Sequence, residues 1–585
     1  MVEEGQFVKV ASLDELREKG RIVVSAGRHG IAVFHTGDGV FAVDNRCPHM
    51  GFPLVKGTVA GDILTCDWHH ARFDLSSGGT FDLWADNVAT YPVQVRGSEV
   101  WLNPKPPPLP RTEVSRRLFG RLRDGMEHRI ALVIAKAVTS MLHEGIEPRD
   151  IVEAGGLYGC AGRQEGWTTG HTILTATANL LPYLEGDEKI VALTHGLDRI
   201  SDSAENQPPW VSSAPLPGET RASQDELKRW FRMFVEQREP RAAERCLLTA
   251  IDRGAKPDEV ADMIVAAATD HFYLDTGHVL DFTNKAFELL DHIGWRHASE
   301  VLPTLLPGMC AAQRAEEEAS WRNPIDLVGP LTKAFEELPD QLKRGTTRGW
   351  NGFDEVRDLF LREDPLEIIR GLTSAIGQGA PPERLTLALA LAAGYRVARF
   401  HVQNDFADWD TVHNMYTYCN ALHQMMKRAP STALVKGIYH GAMDLYLTRF
   451  LNVPKARLPH ERPAAVAAKG EENLLQSLLG AMDAKAIDAA ADAAYAYVEG
   501  GHEPRRLLQA LALAMLQEDA GFHMYQTVDA SVKLFGELKD RDDGYVVLAA
   551  SARFLAAHAA TPRSLRQTID NAIRLSRGEA LYEEA

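Results

Sequence analysis

Residues 47–75, CPHMGFPLVKGTVAGDILTCDWHHARFDL, carry two Cys/His pairs, Cys47-Pro-His49 and Cys66-Asp-Trp-His69, with sixteen residues between them. The short C-x-H and C-x-x-H steps suit two loops that close on one centre from opposite sides. Two thiolates and two imidazoles can hold a [2Fe-2S] cluster, with the sulfurs on one iron and the rings on the other. The same four donors also satisfy tetrahedral zinc. The surroundings favour the cluster: Gly51 follows the first pair, and the second runs on as His70-Ala-Arg-Phe73-Asp74.

That whole string resembles the Rieske ferredoxin and oxygenase family, whose second loop commonly reads C-P-W-H-x-x-x-F-D. Asp67 stands where proline is usual, and all four ligands are kept. The resemblance implies that Cys47, His49, Cys66 and His69 bind the cluster and that His70 is a neighbour. Rieske subunits of quinol-oxidising complexes carry an extra cysteine in each loop. Here Met50-Gly51-Phe52 follows His49 and Trp68 precedes His69, so the resemblance is to the ferredoxin-type branch. The flanking segments RIVVSAG, IAVFHTGDGVFAV, YPVQVRG and EVWLNP alternate in the manner of antiparallel strands. A small β domain is therefore expected over residues 1–104, followed by a stiff proline-rich linker at 105–112.

The chain has 585 residues, 45% hydrophobic and 24% charged, enough for more than one core. Its formal charge is −17 without a Lys/Arg block, which argues against nucleic acid and anionic membranes as partners. No apolar run reaches bilayer length, and the opening MVEEGQFVKV lacks the order of a signal peptide. Six cysteines in this length make no disulfide framework, and Cys160, Cys246, Cys310 and Cys419 read as isolated buried thiols. A cytoplasmic location is expected.

From residue 113 to 585 the sequence reads as all-α. HEGIEPRDIVEA, DRGAKPDEVADM, GQGAPPERLTLA and VEGGHEPRRLLQA share Gly-x-x-Pro at Gly145/Pro148, Gly254/Pro257, Gly379/Pro382 and Gly501/Pro504. Glycine can close one helix and proline open the next. Downstream, His171, His278, His413 and His523 each precede an apolar-periodic run, 26, 24, 34 and 22 residues after their glycines. The spacing predicts about four related helical modules, with insertions near 203–240 and 315–360. Such a histidine can satisfy a buried carbonyl in every module, or it can bind metal. Thr169, Thr276 and Thr411, with Asp275 and Asp410, are plausible N-caps that set the ring in the first turn, where the helix dipole keeps imidazole neutral. One helix later lie His195 and His440, the latter four residues from Lys436 and on its face.

The catalytic iron motif of ring-hydroxylating Rieske oxygenases, Asp-x-x-His-x₄-His, is missing: His292 and His297 have Leu289 where the carboxylate should stand. Paired Glu-x-x-His motifs of di-iron bundles are absent as well. GHVLDFTNKAFELL and VKGIYHGAMDL instead resemble the questin oxidase-like family over most of 113–585. That resemblance implies oxidative opening of anthraquinone-type rings at a mononuclear non-heme Fe(II) held by histidines and a carbamylated lysine. By it, Lys436 is the modified lysine, His171, His278, His413 and His440 are the main ligands, and His195 and His523 are reserves, with Lys436 and His440 in the catalytic role.

The expected function is a Rieske-fused oxygenase. The [2Fe-2S] cluster passes electrons to a His-rich iron that uses O₂ on an aromatic, quinone-like small molecule. An NAD(P)H-dependent reductase serves in trans, since no Gly-x-Gly-x-x-Gly fingerprint is present; a homo-oligomer is left open. The alternative is a non-catalytic electron-transfer or redox-sensing protein whose helices form a partner scaffold.

Overall fold

A computed structural model describes the chain except for residues 1–6, 27–28, 106–108, 162–165, 210, 219, 273–277, 346–348, 463–469, 562, 580 and 582–585. The heart of the proline linker, Pro106–Pro108, and the proposed caps Asp275 and Thr276 lie outside the described residues. The chain divides into two compact units, Met1–Ile151 with Ser564–Ala585, and Val152–Arg563.

Among the described residues of the first unit, nine short strands make three antiparallel three-stranded sheets. They are β1 (Val8–Ser12), β2 (Arg21–Val24), β3 (Ile31–His35), β4 (Val40–Asp44), β5 (Thr58–Ala60), β6 (Ile63–Thr65), β7 (Arg72–Asp74), β8 (Val93–Arg96) and β9 (Glu99–Leu102). The sheet orders are β1-β9-β8, β2-β3-β4 and β5-β6-β7. The alternating segments of the sequence are thus strands, as expected. Phe34, Val43, Phe52, Leu64 and Phe73 fill a core that also contains Cys47 and Cys66.

Composition puts a boundary at residues 105–112, but compactness does not. The helices Arg111–Glu127, Ala131–His143 and Ser564–Ser576 belong to the same unit as the strands. The reason is apolar area. Val133, Ile134, Ala137, Val138 and Met141 on one helix, with Leu565, Ile569 and Ile573 on the C-terminal one, are buried where these two helices pack together.

The second unit is all-helical. The four glycine-proline joints, the first of them in the unit just described, are alike in detail. Each follows a helix of 13 residues. At each, the glycine has φ between +68° and +88°. Its N–H reaches back three residues, as Gly254 to Ile251 (2.9 Å), and the next N–H reaches back five, as Ala255 to Ala250 (3.0 Å). This double closure needs a left-handed residue, which glycine supplies without strain. Pro148, Pro257, Pro382 and Pro504 are then the first residues of the following helices.

Four later helices, Thr169–Leu180, His278–Ile293, Phe406–Arg428 and Phe522–Leu538, pack in a ring, each against two of the others. Helix Pro382–Ala398, buried from Leu385 to Gly394, packs against Phe406–Arg428 and Tyr545–Ala557. An all-round apolar helix has to lie inside. Among the described residues no helix is long and apolar enough to cross a membrane.

The C-terminal helix gives a direct test. Deleting residues 564–585 strips the buried Leu565, Ile569, Ile573 and Leu575 from the first unit. At about 2 kcal/mol per large apolar side chain, less the entropy of ordering the helix, the thermal transition of that unit should fall by roughly 5–10 °C, read by near-UV and visible circular dichroism.

Candidate cluster site and a histidine group in the helical unit

The two ligand loops are built alike. After β4, Cys47 N–H donates to Phe52 O and Gly51 N–H to Cys47 O, both at 2.8 Å; between β6 and β7, Cys66 N–H donates to Ala71 O and His70 N–H to Cys66 O, again both at 2.8 Å. In each loop the fourth residue after cysteine is left-handed, Gly51 at φ +89° and His70 at φ +65°. His70 therefore occupies the turn position that glycine fills in the first loop.

The loops bring the four donors together. Cys47 and Cys66 are buried, with their thiols in hydrogen-bond contact. The rings of His49 and His69 lie 4.9 Å apart, edge to face, and Trp84 and Trp68 flank them at 4.6 and 4.2 Å. Backbone N–H groups of His49 and Met50 donate to the Cys47 sulfur, and those of Trp68 and His69 to Cys66. Burial, then the nearby Lys136, pushes His49 down to about 4, and burial lowers His69 as well. Both rings are thus neutral near pH 7, as metal ligation requires. His49 Nδ1 is buried without a hydrogen-bond partner. Two facing thiols, two neutral rings and that orphaned nitrogen fit a two-iron cluster. Phe73 packs beneath the loops, and Asp74 closes the next turn through Ser76 and Ser77. Asp67, in the usual proline position, accepts from Thr58 Oγ1 at 3.0 Å.

The Rieske [2Fe-2S] domain profile matches residues 6–92. The chain is 35% identical over 75 residues to the 3-phenylpropionate/cinnamic acid dioxygenase ferredoxin subunit of Shigella boydii, covering 12% of this chain and 71% of that one. The chain belongs to the Rieske [2Fe-2S] domain family. A naphthalene 1,2-dioxygenase/salicylate 5-hydroxylase ferredoxin component from Ralstonia is 27% identical over 97 residues, 16% of this chain and 93% of that one. The 4beta-methylsterol monooxygenase of Methylococcus capsulatus is 36% identical over 91 residues, and the chain spans 14% of itself and 24% of that relative. Among solved structures, the ferredoxin of carbazole 1,9a-dioxygenase from Nocardioides aromaticivorans is 30% identical, with 17% of this chain and 99% of that chain covered and a TM-score of 0.16. The Rieske domain is thus akin to electron-transfer components of oxygenase systems, and its family implies a [2Fe-2S] cluster, for which Cys47, His49, Cys66 and His69 are the candidate ligands.

In the helical unit the predicted histidines separate into different settings. His171 caps its own helix: Nδ1 accepts from Thr168 N–H at 3.2 Å, Nε2 faces Cys160 Sγ at 3.6 Å, and Trp167 stacks on the ring. The N-cap is Thr168, one residue before the expected Thr169. His195 Nδ1 lies 3.3 Å from the Tyr525 hydroxyl. His440 is buried between Phe272 and Phe335, near His271 and Glu316. Lys436 keeps 26% of its side chain exposed and sits 3.6 Å from Asp270. A carbamate there would face that carboxylate as a like charge.

His278, His413 and His523 converge. The rings of His413 and His523 are 4.5 Å apart and those of His278 and His523 6.2 Å. The expected first-turn placement holds for His523 but not for His413, and the residues before His278 lie outside the described ones. Asp405 caps that helix with Asp408 in a capping box, so the helix starts at Phe406 and His413 is its eighth residue, with Thr411 inside it. His523 Nδ1–H donates to Asp410 at 2.8 Å, and His413 Nδ1 lies 2.5 Å from Thr527 Oγ1. Among the described residues, His278 Nδ1, His413 Nε2 and His523 Nε2 are buried without a partner in hydrogen-bond geometry, with the Gln526 side chain beside His413. Burial, with His523 alongside, pushes His278 down to about 4 and His413 well below its ordinary value. Among the described residues no three His, Cys, Asp or Glu side chains enclose an ion as they stand.

Along the same bundle runs a buried charged group that sequence reading missed. Lys285, 2% exposed, pairs with Glu288 (2.9 Å) and with Asp529, while Lys533 bonds Glu288 at 2.5 Å and Asp529 at 3.0 Å. Asn179 adds a bond to Glu288 at 2.7 Å. Burial works against the Lys285 ammonium, but the Asp529 and Glu288 carboxylates outweigh it and hold its pKa above the ordinary range. Asp281, one turn from His278, is pushed up to about 7 by burial. Its carboxylate accepts from Gln526. The residues are up to 350 apart in sequence, as Asn179 and Asp529 are, so no local pattern signals them.

Two outcomes follow. His69→Ala should abolish the Rieske EPR signal of the reduced protein, whereas His70→Gly should keep it and gain up to about 1 kcal/mol, because glycine relieves the left-handed strain. Lys285→Met leaves two buried carboxylates with one fewer cation and should cost about 3 kcal/mol, read from chemical denaturation followed by helical circular dichroism.

Proposed function

We propose that the chain is a Rieske-fused oxygenase in which cluster electrons serve a mononuclear non-heme iron in the helical bundle. The observation that carries this reading is the convergence of His278, His413 and His523, each with one buried ring nitrogen that finds no hydrogen-bond partner among the described residues. Buried polar atoms are nearly always satisfied, so three orphans in one place call for a ligand. His278 and His413 are held neutral, and His523 is oriented by a carboxylate, the arrangement that fixes metal-bound imidazoles. An iron there, when bound, would supply the O₂ chemistry that a cluster without an open coordination site does not.

The protein's own groups prepare that setting. Asp410 orients His523 and Thr527 orients His413, which is itself buried within the ring of helices. Asp281, with its pKa near 7, can hold or release a proton one turn below His278. The questin oxidase-like resemblance supports an aromatic, quinone-like substrate and oxidation or ring cleavage as the reaction. The ferredoxin relatives, whose names refer to naphthalene and phenylpropionate systems, support electron delivery from an NAD(P)H-dependent reductase in trans. The geometry favours these three histidines over Lys436 and His440 as the metal-binding set. The four identical glycine-proline joints and the ring of helices support the reading of the helical part as related modules.

Iron counting tests this on the full-length protein. Three irons per chain are expected, falling to two in His278→Ala and His413→Ala with the Rieske EPR signal unchanged. Two irons in the folded wild-type protein, even after anaerobic loading with ferrous iron, would leave the electron-transfer or redox-sensing reading with a helical scaffold.

A further inference from the structure

Lys136 stands on helix Ala131–His143, outside the residues matched by the Rieske profile, with only 10% of its side chain exposed. Its ammonium does not point to solvent. It donates to the carbonyl of Pro48 at 2.5 Å and to that of His49 at 2.8 Å, and lies 3.3 Å from Asp86.

Those two carbonyls have a particular place in the cluster loop. The Pro48 carbonyl shares a peptide group with His49 N–H, and the His49 carbonyl shares one with Met50 N–H. These are the two N–H groups that donate to the Cys47 sulfur. A cation bound to the oxygen end of a peptide polarises it and makes its N–H a stronger donor. Hydrogen bonds to ligand sulfurs are among the factors that set the potential of an iron–sulfur cluster. One-electron reduction adds a negative charge, so a buried cation bound to the ligand loop also favours the reduced state directly. Asp86 opposes both effects.

Asp86 is further held by Arg121 Nε at 3.1 Å, and the same guanidinium donates to Leu83 O and Ala85 O at 3.0 and 3.2 Å. The loop carrying Trp84, which packs on His49, is thereby fixed by helix Arg111–Glu127. The helices of this unit supply charged contacts to both the first ligand loop and the loop beside it.

We propose that Lys136 is a positioning residue of the cluster, which raises its reduction potential by polarising the two peptides that hold the Cys47 sulfur, with Asp86 as the counterweight. This rests on the cluster ligands alone and is independent of any metal in the helical unit.

The test is an anaerobic redox titration of the full-length protein, following the Rieske EPR signal with iron content as the control for loading. Lys136→Met should lower the midpoint potential, Asp86→Asn should raise it, and Lys136→Arg should stay near the wild type. Opposite shifts from neighbouring substitutions are not what loosened packing produces. Unchanged midpoints in loaded Lys136→Met and Asp86→Asn proteins, or shifts of the same sign in both, would overturn the proposal. Should Lys136→Met fail to hold the cluster, Asp86→Asn decides: a midpoint that is unchanged or lowered rejects the role given to Lys136.

Discussion

The first unit depends on how two buried cysteines are held. Each lies at the start of a tight loop whose own backbone bonds close it, and each sulfur receives two N–H groups from the residues that follow. Thiolates buried in an apolar core need such donors, because burial alone disfavours their charge. The left-handed residue four positions on makes the turn possible, and the aromatic rings of Trp68 and Trp84 close over the histidines. The strands around them are short. Three small sheets serve mainly to hold two loops at a fixed separation.

The helical unit solves a different problem with the same means. A four-helix ring can bury charge only if every charge is matched, and the Lys285, Lys533, Glu288 and Asp529 group is matched on two helices with Asn179 from a third. Where that group ends, Asp281 and the histidines begin. There the matching is incomplete: three ring nitrogens have no hydrogen-bond partner among the described residues.

Between these two settings the chain reuses one device. A helix of 13 residues, a left-handed glycine and a proline that opens the next helix occur four times with the same two closing bonds. The first copy follows helix Ala131–His143, the helix that carries Lys136. The joint fixes where one helix ends and the next begins, so the polar side chains along both are delivered in set positions.

Much of this was legible in the sequence because it is local. Cys47, His49, Cys66 and His69 lie within 23 residues, and glycine and proline act on their own backbones, so the ligands and the four joints could be named from spacing. The start of the helix bearing His413 could have been read from Asp405 and Asp408, but Asp410-Thr411 offers the same signal closer to the histidine. What local pattern does not contain is the choice of neighbours. His171 and His278 follow the same Thr-Gly step, yet one ring is spent on Thr168 and Cys160 while the other faces His523. Lys136 reads as one more lysine on an amphipathic helix until packing sets it against Pro48 and His49, 88 and 87 residues away. The sequence by itself determined the β and helical regions and the helix joints and singled out the candidate cluster ligands, since these depend on residues a few positions apart. Only the tertiary structure decided which histidines meet and which lysine serves the cluster, because burial brings together groups that no spacing relates.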